Sequence, residues 1–188
     1  MFDFWKPYPS IIKRILTFAV VFLLSAIITA AGALTPLSQE EADSLNEELE
    51  QLRENISVQY IFGNNFMICL LMFVPVVGPL FGFYALYTTG VFIAAQSIAY
   101  NVHPLLTFLS MFILPVIWLE FAAYSIAMGE SIWLIWRIIH GKGKSELLRA
   151  CIFISICAVL LLVAAIVEVV MIALIPQEAE NATSPLFF

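Results

Sequence analysis

Between Arg53 and Arg137 the chain carries no lysine and no arginine, and residues 61–136 hold only two formal charges, Glu120 and Glu130. A stretch of that length with so few charges has little to offer water. Two more apolar runs, 11–34 and 151–175, lie on either side of it. A helix needs roughly 20 apolar residues, at about 1.5 Å each, to cross a hydrocarbon core about 30 Å thick. Both flanking runs are long enough, and the chain reads as an all-α, polytopic membrane helical bundle. Composition agrees, with 62% of residues hydrophobic and 12% charged, against about half and a quarter in a globular domain. That balance argues against a soluble enzyme.

The central block, 61–139, is interrupted by Pro75, Gly78, Pro79, the 101–104 stretch and Pro115, and helices do not pass prolines unperturbed. Basic residues set direction, because cytoplasmic loops are enriched in Lys and Arg. Lys6, Lys13 and Arg14 lie at the start of the first run, and Arg137, Lys142, Lys144 and Arg149 frame the loop before the last. Both places are expected to be cytoplasmic, so the central block crosses an odd number of times. Three crossings, at about 61–77, 80–100 and 104–139, give about five transmembrane helices with a broken or re-entrant centre. One crossing plus re-entrant half-helices gives three. The expected protein is a single membrane domain, 1–188, in the plasma membrane, with a cytoplasmic N-terminus and an extracytoplasmic tail at 176–188. The first run is too long for a signal-peptide core and reads as a retained anchor. The sequons at Asn55 and Asn181 fall on the expected outer side.

The segment 35–59 is the one hydrophilic stretch between spans. Glu40, Glu41, Asp43, Glu47, Glu48, Glu50 and Glu54 crowd it and supply most of the net charge of −6. Ser38 followed by Glu41 is a capping box, and Leu45, Leu49, Leu52 and Ile56 draw one apolar stripe on a helix over about 40–54. This extracytoplasmic amphipathic helix is expected to pack on its own membrane domain. A partner or dimer contact is the alternative, and the run is too short for a free coiled coil.

Ionisable and amide groups inside a bilayer are costly, so they face a bundle interior and often serve function. Asn64, Asn65 and Glu120 form the first candidate cluster. Glu120 has no cation within ten residues on either side, so it is either protonated or hydrogen-bonded across helices, and the asparagines are its expected partners. A simpler reading has the asparagines capping a helix start. Glu130, Glu168 and His103 are secondary candidates: Glu130 within reach of Arg137, Glu168 able to reach the outer interface, His103 in a connecting loop. Gly78 and Gly82, with Gly90, Ala94, Ala95, Ala122, Ala123, Ala127 and Gly129, indicate close helix packing. The cysteines, Cys69, Cys151 and Cys157, all lie in apolar stretches and read as buried, with neither zinc-site nor disulfide spacing. There is no nucleotide-binding, metalloprotease or nucleophile-elbow motif. No catalytic residue, metal or cofactor is expected, and no nucleic acid among the partners.

The stretch Ile61-Phe62-Gly63-Asn64-Asn65, a glycine-rich helical hairpin, and Pro115 followed by Glu120-Phe121-Ala122-Ala123 resemble the stage II sporulation protein M family of multi-span membrane proteins. The family's asparagine pair matches Asn64 and Asn65, its proline Pro115 and its acid Glu120. Where the family carries Asn-Gly and His-Gly, this chain has Thr89-Gly90 and Val116-Ile117. The resemblance implies a membrane-embedded assembly protein without known catalytic activity.

Two functions follow as expectations. The first is a non-enzymatic scaffold or assembly component, a homo-oligomer or a complex with membrane or cell-envelope partners, resting in the lipid bilayer. The second is an oligomeric transporter or channel using a polar intramembrane site around Glu120.

Overall fold

The computed structural model describes residues 10–53, 56–139 and 143–174. Lys6, Asn55, His140, Lys142, Asn181 and the tail 176–188 lie outside the described residues, as do the side chains of Leu52 and Lys144. Within them the chain is all helix: α1 (Ser10–Ala33), α2 (Gln39–Arg53), α3 (Val58–Met72), α4 (Val77–Ala99), α5 (Pro104–Met111), α6 (Pro115–Ile139) and α7 (Gly143–Leu174).

Three helices are long and apolar enough to cross a membrane, over Ile11–Ala33, Val77–Ala99 and Leu148–Leu174. Helices α5 and α6 together make a fourth candidate, bent by 86°. Helix α3 is apolar but has only 15 residues, which reach about 22 Å. The outer surface is apolar where a soluble bundle would be charged: Leu23 of α1 and Val159 of α7 are 61% and 62% exposed. Side chains of this kind are at home in lipid and costly in water.

Proline placement sets the breaks. At the α5–α6 junction Pro115 has no N–H to give, and Phe112, Ile113 and Leu114 close tight turns onto Leu109, Ser110 and Met111 instead. The carbonyl of Phe112 takes a hydrogen bond from the Trp118 indole at 2.8 Å, which satisfies a backbone group that lipid cannot. The α3–α4 connection is a γ-turn centred on Val76 (φ 70, ψ −55), with the Val77 N–H donating to the Pro75 carbonyl. A β-branched residue at positive φ is strained. Ser131 of α6 holds this turn by donating to the Val74 carbonyl at 2.8 Å. A Cβ on Gly78 would lie 2.0 Å from the Met72 carbonyl oxygen, so this glycine closes the turn rather than serving a helix–helix contact.

Helix α1 crosses α4 with backbones nearly touching. A Cβ on Gly90 would lie 2.1 Å from the Thr29 oxygen, and one on Gly32 would lie 2.2 Å from the Tyr87 oxygen. Helix α6 packs along α7 and α1. The main core runs between them through Cys69, Met72, Leu86, Phe121, Met128 and Leu161. Cys69 and Cys157 are buried as expected, but Cys151 is not: it lies exposed on α7, because an apolar run fixes a helix but not which of its faces meets the bundle. Helix α2 begins in the expected capping box, with the Ser38 N–H donating to Glu41 at 2.8 Å and the Glu41 N–H to Ser38 Oγ at 3.3 Å. It lies on α4, with Ala42 fully buried, Leu45 and Leu49 half-buried, and Asn46 donating to the Ala95 carbonyl at 3.2 Å. The described part of the apolar stripe on α2, Leu45 and Leu49, therefore lies on the side that packs on the chain's own bundle.

Candidate functional site

The site is built by two helix starts. Ser57 caps α3, accepting from the Tyr60 N–H at 3.2 Å, so the helix begins at Val58 and runs through the asparagine pair. Capping is Ser57's task, and Asn64 and Asn65 are free to use their amides sideways. Helix α6 restarts at Pro115 and carries Glu120 into the bundle. The two meet: Asn65 Nδ2 donates to Glu120 Oε1 at 2.6 Å. Asn64 is exposed and donates weakly to Asn65 Oδ1 at 3.5 Å. One asparagine thus reaches the acid and the other steadies it from outside.

Beside this contact lies a cavity of about 500 Å³ to which all seven helices contribute. Its walls are mostly aliphatic and aromatic. Its polar groups are Asn64, Asn65 and Glu120, then Glu168 of α7 and the hydroxyls of Thr29, Tyr60, Thr88, Thr89 and Tyr124. Glu168 is half-buried and makes no hydrogen bond or ion pair among the described residues. It turns into the cavity instead of reaching for the outer interface. No described residue lining the cavity is basic.

The remaining candidates go elsewhere. His103 is exposed and caps α5, its Nδ1 accepting from the Leu105 N–H at 3.3 Å ahead of Pro104. Glu130 is buried against Arg14 of α1, which donates to both carboxylate oxygens. The two side chains are 3% and 5% exposed. The sequence offers Arg137 as partner by spacing on one helix, but it cannot show that α1 brings a cation to the same point. Arg14 also stacks over the Trp133 ring at 5.2 Å, while the Trp133 indole donates to Thr17 Oγ1 at 3.2 Å. Helix α6 is unbroken from Pro115 to Ile139, so Glu120 and Glu130 stay about 15 Å apart along it. The carboxyl that joins Glu120 is Glu168, distant in sequence. Its signal, an acid deep in an apolar run, is legible; the pairing is not.

A bundle of apolar helices, lipid-compatible outside and holding carboxyl and amide groups around a partly open cavity, defines a helical membrane protein. The chain belongs to the stage II sporulation protein M family, whose match spans residues 15–171. No curated relative and no solved structure matches it.

Proposed function

We propose that this protein is a non-enzymatic transporter or channel whose solute site is the cavity at Glu120. The observation that carries this reading is a cavity of about 500 Å³ that holds Glu120 and Glu168 with no basic residue among its described lining. Two acids kept in an apolar bundle without a cation are a cost to folding, and a site that exists to meet a ligand accounts for it. Transporters build such sites from interrupted helices, and the α5–α6 break brings Met111, Phe112, Leu114 and Val116 to the cavity wall. Cys157, Met128 and Leu161 of the buried core do not line the cavity, and a site that stops short of this core favours movement between states or assembly as a homo-oligomer.

In the orientation that best suits the basic residues, α1, α3, α4, the bent α5–α6 unit and α7 make five crossings of the plasma membrane. The N-terminus and the α6–α7 connection are then cytoplasmic, and α2 lies outside. The test of function is flux. Purified protein in liposomes should pass a solute from a broad ion and solute panel, and Glu120→Gln should abolish that flux. Flux no higher than in empty liposomes across the whole panel sinks the reading.

A second reading, a scaffold for envelope partners, is favoured by α2. Its buried side is fixed on α4, so Glu40, Asp43, Glu47, Glu48 and Glu50 form an exposed acidic face held in one place. Recovery of a strictly monomeric, partner-free protein after mild extraction counts against it.

A further inference from the structure

We infer that the cavity is built for a lipophilic organic cation, an ammonium or phosphonium centre carrying apolar substituents; this names the ligand class of the site proposed above and rests on that reading. Three features of the lining select the class. The first is charge: Glu120 and Glu168 enter from α6 and α7, and no described lining residue supplies a positive charge. An anion would meet two acid groups and no cation, whereas a cation lets either acid ionise against it in a medium that hardly screens charge.

The second is the rest of the wall. Tyr60, Phe92, Phe108, Phe112, Phe121 and Tyr124 line the same space, and aromatic faces attract cations, above all quaternary ones that hold no water tightly. A small metal ion would need a close shell of ligating side chains, and no group of three or more His, Cys, Asp or Glu gathers among the described residues. The third is size. About 500 Å³ lies within the range of drug-sized ligand sites and far exceeds the room for one bare ion. Within the site the two acids differ. Glu120 is already oriented by Asn65, whereas Glu168 has no hydrogen bond or ion pair among the described residues and is the carboxyl left over for the ligand.

The experiment compares two probes of the same shape and opposite charge. Tetraphenylphosphonium and tetraphenylborate, radiolabelled, are equilibrated with the full chain in phosphatidylcholine nanodiscs, and binding to empty nanodiscs is subtracted. The phosphonium should bind saturably and the borate should not. Tetramethylammonium, which has the charge but only small methyl substituents that leave most of the apolar wall uncovered, should compete poorly. Glu168→Gln should weaken phosphonium binding about tenfold. This variant breaks no described hydrogen bond or ion pair, so it keeps the test meaningful if Glu120→Gln fails to fold. Equal saturable binding of both probes, unchanged affinity in Glu168→Gln, or no saturable phosphonium binding overturns the inference. Flux of small inorganic ions without phosphonium binding would overturn it while leaving the transport reading intact. Phosphonium binding without any flux would do the reverse.

Discussion

A carboxylate and a guanidinium buried together are each expensive to leave alone. Arg14 and Glu130 are such a pair, joined between α1 and α6 and both nearly inaccessible. Arg14→Ala should lower stability by about 3–5 kcal/mol, because it leaves the acid without this partner. Replacing both residues with apolar ones of similar volume should recover most of the loss. Unfolding in mixed micelles checks this, and a single variant as stable as the wild type would mean the pair contributes nothing. Glu41 shows the opposite regime, fully exposed and governed by local bonds. The Ser38 backbone N–H and then its hydroxyl hold the Glu41 carboxyl below the usual carboxylate range. A depressed acid stabilises the fold above its unfolded value, about 4.3, and that help is lost as pH falls through the folded value. Amide-exchange protection in the first turn of α2 should therefore drop as pH falls below about 4. Protection that stays level there while the rest of α2 remains folded would contradict the capping role.

At the scale of helices, the small residues do unlike work. Gly90 faces backbone across the α1–α4 crossing, so an added methyl has nowhere to go. A Cβ on Gly82 would lie 2.4 Å from the Met128 sulfur, and a methionine tip can swing aside. Gly90→Ala should thus destabilise by about 1–3 kcal/mol, and Gly82→Ala by clearly less. Thermal unfolding of the two variants side by side decides it, and equal losses would mean that α1 and α4 can part cheaply. The sequence displays both glycines with the same spacing rule, and that rule does not reveal which neighbour is rigid. Gly32, the other half of the crossing, carries no local pattern to mark it.

For the whole molecule, the five-crossing arrangement has a direct consequence. A reporter inserted at residues 35–38 should face outward, and one at 140–142 should face the cytoplasm. Both on the same side of the membrane would exclude the arrangement. Much of the architecture is legible without coordinates, because lipid imposes a rule that acts locally. Every backbone group must be satisfied within its own helix, so apolar runs become helices and prolines become breaks. Pro75 and Pro115 mark the observed breaks, and Ser38 with Glu41 marks the start of α2. Partners are another matter. Asn65 meeting Glu120 follows from two candidates of the right chemistry, yet nothing local brings Glu168 to the same cavity or sends Glu130 to Arg14.

The sequence by itself determined the solvent, the helical class and the places where helices stop, since hydropathy and proline geometry act over one or two turns. Only the tertiary structure decided which buried charges are paired and which face an open cavity. A pairing depends on the depth and rotation at which distant helices dock, and those are set by packing across the whole bundle: the glycine crossing of α1 on α4, the tight turn at Val76 and the bend at Pro115.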